Sequence, residues 1–185
     1  MALSIIQKAN VRLKFLHRKR SYLIFITKKL LAMSLIHCHF EYACSFWCAG
    51  LSQGLKNRLQ TTQIKLIRFV LNLDQIINFG PEHFTILNWL PVIKRVDQII
   101  LCHVLKIKSG TASDYLGKYF RLASSVHGYS TKFRDNGSYT IAKVKGFGKK
   151  SFAYKGCVHL NDLRKINGLM EFKDAVKTIY CLNEW

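Results

Sequence analysis

Acidic residues are scarce in this sequence. Ten Asp and Glu stand against 29 Lys and Arg in 185 residues, for a formal charge of +19. The acids are mostly isolated, with no Asp-Asp, Asp-x-Asp or Glu-x-x-Glu pair. That excludes the clustered carboxylates which hold two divalent ions in metal-dependent nucleotidyl transfer. Glu171 and Asp174 lie three apart, but on a helix they read as an ordinary solvated pair. Gly-rich phosphate loops are absent too: Lys145-Gly146-Phe147-Gly148-Lys149-Lys150 lacks the spacing and the Ser/Thr of a P-loop. No Gly-x-Ser-x-Gly elbow marks a nucleophile. These absences point to a chain with no catalytic centre of its own and no cofactor.

Long apolar runs are also missing. The best attempt, Leu30 to Phe40, follows Lys28 and Lys29 and contains His37 and His39. It falls short of the roughly 18 apolar residues of a spanning helix, so no integral membrane segment is expected. Ala2 to Ile6 is too short for a secretory core. The basic, acid-poor start matches a mitochondrial transit peptide in composition, but the rest of the chain is almost as basic. The six cysteines do not form the dense, regular set of a secreted scaffold. A reduced intracellular setting, cytoplasmic or nuclear, is expected.

What the chain does have is a core and a positive surface. Hydrophobic residues make up 49% of it, which separates it from a disordered tail. A charge of +19 repels itself unless a polyanion is near. Nucleic acid is the first such partner, because each neutralised phosphate releases a counterion. An anionic membrane surface is the second.

Periodicity predicts helices over Ile5 to Arg20, over about Thr27 to Cys48, and from an N-cap at Ser52 to Leu73. In the third, Leu55, Leu59, Leu66, Val70 and Leu73 form an apolar arc. Arg58, Thr61, Lys65, Arg68 and Asn72 recur on the opposite side, which carries no acid. A merely solvated helix usually mixes both signs. An all-basic face fits an anionic partner, and a plain solvated face is the competing reading.

Gly80-Pro81 interrupts the chain; a short helix over Glu82 to Asn88 and a helix over Val92 to Lys108, with Pro91 in its first turn, follow. Asp114 to Ser125 predicts a weaker helix. Asn136-Gly137 is a hairpin-type turn and Tyr139 to Lys145 a candidate strand, giving a hairpin near 130–145. Leu169, Phe172, Val176 and Ile179 predict a terminal helix. The expected fold is mainly α: a helical bundle over 1–126, and a smaller C-terminal lobe over 127–185 with a short β hairpin.

Two side-chain groupings compete with plain packing. His37-Cys38-His39, Cys44 and Cys48 are soft ligand types, but helical spacing puts Cys38 and His39 off the face shared by the others. Core packing is the preferred reading and no metal is expected. Phe15 and Tyr22 beside Arg18, Lys19 and Arg20, and Tyr129 and Phe133 beside Lys132 and Arg134, are candidate base-stacking groups. The expected nucleic-acid contacts are therefore Arg18, Lys19, Arg20, Arg58, Lys65, Arg68, Lys132 and Arg134. Oligomeric state is not specified.

Several strings also line up with one family, in its order and over nearly the whole chain. They are Leu13 to Leu23, Ile36 to Trp47 with its His39-Phe40-Glu41-Tyr42, Leu55 to Gln63, Arg68-Phe69, and Leu71-Asn72-Leu73-Asp74. Leu87-Asn88-Trp89-Leu90-Pro91-Val92, Arg95, His127, Tyr129, Thr131-Lys132, Ser151-Phe152-Ala153-Tyr154 and Phe172-Lys173 follow. The chain resembles the region after the catalytic palm in jockey-like non-LTR retrotransposon reverse transcriptases. The resemblance implies a thumb-like lobe that follows a template–primer duplex by its backbone. The family's Phe/Tyr-x-Asp-Asp motif lies upstream of this region and has no counterpart here, so polymerase activity does not carry over. Two strings depart from the pattern. Cys38 stands where the family has Pro, with Glu41 for Asp. Leu160-Asn161-Asp162-Leu163-Arg164 lacks the Trp and Pro of Trp-Asn-x-Leu-Pro. With Met1 falling inside a continuing domain, the resemblance implies a translated remnant of a mobile element. An inert relic and a basic membrane-surface or organelle protein are the alternatives.

Overall fold

A computed structural model describes residues 2–48, 50–74, 76–126, 128–130 and 137–166. It is mainly helical, and among these residues there is no sheet. The predicted terminal helix, most of the hairpin loop, and Lys132, Phe133 and Arg134 lie outside the described residues. The chain forms two compact units that divide between Val96 and Asp97.

In the first unit, α1 (Ala2–Arg18) buries Ile6, Ala9, Leu13 and Leu16, the three-and-four spacing of one helix face. It packs on α5 (Gln53–Leu71), as does α2 (Phe25–Ala32). Leu59, Leu66 and Val70 of the predicted arc are fully buried in α5. The gap in that arc is filled by two buried polar residues. Thr62 donates its hydroxyl to the Arg58 carbonyl at 2.9 Å. Gln63 donates to the Leu90 carbonyl (2.8 Å) and accepts from the Val92 amide (2.9 Å), so the entry to α7 (Val92–Lys108) is tied to α5. Short α6 (Glu82–Leu87) precedes that entry.

The predicted third helix ends two residues early. Asn72 takes a left-handed conformation (φ 56°), and the Leu73 amide turns back to the Arg68 carbonyl at 2.9 Å. That is a Schellman-type stop, which Asn tolerates better than most residues. Ser52 does sit at the N-cap, but it works through its carbonyl, which accepts from the Leu55 and Lys56 amides, and not through its hydroxyl.

The predicted long helix over 27–48 is broken twice. A π-helical turn, Met33–His37, follows α2. Arg12 reaches across from α1 to the Leu35 carbonyl in that turn (2.5 Å) and to the His39 ring. A side chain thus supplies a donor to a carbonyl where the regular ladder is interrupted. After α3 (Cys38–Glu41), Ala43 takes φ 49° and separates off α4 (Cys44–Trp47). The Trp47 indole N–H donates to the Tyr42 carbonyl at that corner (2.8 Å).

In the second unit, α8 (Asp114–Gly117) and α9 (Phe152–Ile166) join the later part of α7. Gly156 is required on α9: an added Cβ would sit 2.6 Å from Val104 and 2.8 Å from the Phe120 ring. The expected strand over Tyr139 to Lys145 is reduced to one antiparallel bridge, Leu122 with Tyr139. The buried Asn161 side chain accepts from the Tyr139 amide (2.7 Å) and donates to its carbonyl (3.0 Å). Those backbone groups are therefore not available to a neighbouring strand. The Leu122–Tyr139 bridge, with the Ala123 amide on the Ser138 carbonyl (2.8 Å) and the Thr140 amide on the Arg121 carbonyl (2.9 Å), joins residues on both sides of 125–128, where the lobe boundary was expected.

Candidate nucleic-acid interface

The acid-free side of α5 splits into two parts. Arg58 and Lys65 are exposed, and their side chains make no hydrogen bond or ion pair with a described residue. Seven positions apart, they lie on one line about 10 Å long along the helix. Arg68 is committed elsewhere. Its guanidinium donates to the carbonyls of Asp74 (2.5 Å) and Ile77 (2.8 Å) and lies over the Phe79 ring at 5.6 Å. It holds the loop after α5, a role that spacing along the helix does not reveal.

The line through Arg58 and Lys65 continues to Asn72, and there the structure gathers more charge. The Asn72 side-chain oxygen accepts from Lys28 Nζ at 2.6 Å and from Arg20 Nε at 3.0 Å. Lys28 is only 3% exposed and lies 5.9 Å from the Phe69 ring centre. Burial, and then the Arg20 charge, lower its pKa. His17 sits edge-on to Phe69 and is lowered for the same two reasons. Arg18 and Lys19, at the end of α1, are exposed. Sequence reasoning passed over Lys28, and a signal for it was present: Lys28 and Ala32 are spaced i, i+4 and share the buried side of α2.

The stacking candidates also separate. Phe15, Tyr22 and Tyr129 are exposed; Phe133 lies outside the described residues. A pair not anticipated, Tyr115 on α8 and Tyr119 just after it, is exposed to solvent with Lys118 over the Tyr115 ring at 5.8 Å.

The His/Cys grouping divides: Cys38 is exposed, and His37 and His39 are half-buried. Cys44 and Cys48 are buried. Burial, followed by the neighbouring Cys48 and Glu41, pushes the Cys44 thiol up to about 11, so it stays protonated and unreactive near neutral pH. His37 lies against the Trp89 ring at 4.9 Å and 3.4 Å from Glu41. Glu41 also takes Arg95 Nε at 2.7 Å. Its hydrogen bond with His37, with Arg95 adding and burial opposing, lowers the carboxyl to about 2. In the second unit Asp97 lies 3.5 Å from both Lys155 and His159. Burial alone would raise Asp97, but those partners outweigh it and the net shift is downward. No three His, Cys, Asp or Glu among the described residues are placed to hold a metal ion. No helix among them is long and apolar enough to cross a membrane. No protein-family model matches this chain, and no curated protein or solved structure matches it.

Proposed function

We propose that this chain is a nucleic-acid-contacting helical module that follows the backbone of an RNA–DNA or related duplex. In this reading it descends from the region after the palm of a jockey-like non-LTR reverse transcriptase. It carries none of that enzyme's chemistry and acts inside the cell, in cytoplasm or nucleus. One observation carries the reading: exposed Arg58 and Lys65 stand on a helix side without an acid, in line with the Arg20–Lys28 cluster. Exposed cations on such a line can neutralise successive phosphates without reading bases. Exposed Phe15 and Tyr22 beside Arg18 and Lys19 add stacking surfaces.

The test is fluorescence anisotropy of a labelled RNA–DNA hybrid over a range of KCl concentrations. The logarithm of affinity should fall linearly with the logarithm of salt, with a slope of about −3 to −5 for four or five neutralised phosphates. A flat titration overturns the reading in favour of a relic with no retained binding. A second reading has its own support. Tyr22, Ile24, Phe25, Ile26, Leu30 and Met33 are exposed around α2, beside Lys29. An apolar ridge flanked by cations also fits an anionic membrane surface. Co-sedimentation with anionic but not neutral vesicles, at salt that abolishes hybrid binding, would favour it.

A further inference from the structure

Buried cations in proteins are normally paired with a carboxylate or another anion, because leaving water is costly for a charge. The first unit contains a departure from that rule. Buried Lys28 and partly exposed Arg20 converge on one neutral oxygen, that of the Asn72 amide. Neither cation forms an ion pair with an acidic residue among those described. The cluster opens onto a depression of about 530 Å³ lined by His17, Arg20, Ser21, Leu23, Lys28 and Asn72. Among the described residues no carboxylate lines it.

The donors there suit an oxyanion. Arg20 uses Nε on Asn72, which leaves its terminal nitrogens for a second acceptor. Lys28 has three N–H groups and spends one on Asn72. The Asn72 amide nitrogen and the Ser21 hydroxyl are further donors on the lining. A tetrahedral anion with three or four oxygens can accept from all of these together, and an Arg terminus meets phosphate in a two-pronged fashion.

We infer that this depression is an oxyanion site that takes one phosphoryl group, held by Arg20, Lys28, Ser21 and Asn72. It does not depend on the duplex reading, because inorganic phosphate alone suffices to fill it. Burial first, and then the Arg20 charge, lower the pKa of Lys28 and His17, and the second of these causes fits a site where positive charge is only partly compensated. The phosphoryl group has two possible sources, a free phosphate and the terminal monoester of a strand.

Isothermal titration calorimetry on the full chain tests the site, with inorganic phosphate titrated at ionic strength held constant by NaCl. Wild type should give saturable binding. Lys28→Met keeps the shape of the side chain without its charge and should weaken phosphate at least tenfold. Asn72→Asp builds a carboxylate into the centre of the cluster. It should weaken phosphate at least tenfold while raising the melting temperature of the ligand-free protein. Asp tolerates the left-handed backbone that Asn72 adopts, so this variant keeps the test valid if Lys28→Met misfolds. Matched oligonucleotides with a 5′-phosphate or a 5′-hydroxyl separate the sources. Preference for the phosphorylated strand assigns the group to a strand end, and equal binding of the two alongside phosphate binding assigns a free ion. Absence of saturable phosphate binding by wild type, or undiminished binding by Asn72→Asp, overturns the site.

Discussion

Glu41 and Asn72 stand at comparable points in the first unit. Each offers one side-chain oxygen to two nitrogen-bearing side chains. Glu41 takes Arg95 at 2.7 Å and His37 at 3.4 Å; Asn72 takes Lys28 at 2.6 Å and Arg20 at 3.0 Å. The geometry is alike and the charge is not. The carboxylate of Glu41 balances its cation internally, and so does Asp97 with Lys155 in the second unit. The Asn72 amide balances nothing, so two positive charges remain at the surface of a cleft. The difference separates charge that serves the fold from charge that is left to attract a partner. Arg68 belongs with the first kind, since backbone carbonyls take its guanidinium; Arg58 and Lys65 belong with the second.

Removing each centre should therefore give opposite results. Glu41→Ala removes the acceptor that Arg95 and His37 share. It should lower stability by about 1–2 kcal/mol, read by urea unfolding, since a charge-assisted pair that is partly screened by solvent is lost. Unchanged stability would place Glu41 among ordinary surface pairs.

Acid should reproduce part of that loss. The Glu41 carboxyl is held at about 2 in the folded chain, below its ordinary value of 4.5. A depressed carboxyl contributes stability that is fully present above pH 4.5 and is lost as pH falls toward 2. About a third of the side chain is exposed, so screening reduces the contribution to about 1–2 kcal/mol. Glu41→Gln should flatten this limb of the stability profile. Asn72 does not titrate, so its cluster should add nothing to the same limb.

Asn72→Asp should move stability the other way, by about +1 kcal/mol, because it converts the second centre into the first kind. A loss of stability on thermal unfolding would mean that Arg20 and Lys28 are already compensated. Arg58→Ala with Lys65→Ala should leave stability within about 0.5 kcal/mol of wild type, as expected for exposed side chains away from packed features.

Much of the helical framework was legible in the sequence. The spacing of the apolar arc on the third helix is a local signal: Leu59, Leu66 and Val70 are buried as expected, while Leu55 and Leu73 at its two ends are half-buried. What escaped was set by contacts across long stretches of chain. The break after α2 involves Arg12 reaching Leu35, 23 positions away. The shortened strand at Tyr139 depends on Asn161, 22 positions on. The site was half legible for the same reason. An acid-free helix face can be counted from spacing, but spacing does not tell that Arg68 is spent on a loop. Nor does it bring Lys28 to Asn72, 44 positions away.

The most direct test of the account compares wild type with the Arg58→Ala, Lys65→Ala double variant on the same RNA–DNA hybrid, with affinity measured across KCl concentrations. Loss of two phosphate contacts should weaken binding at every salt concentration and make the slope shallower by about 2. An unchanged slope at unchanged affinity would contradict the claim that this side of α5 meets the backbone.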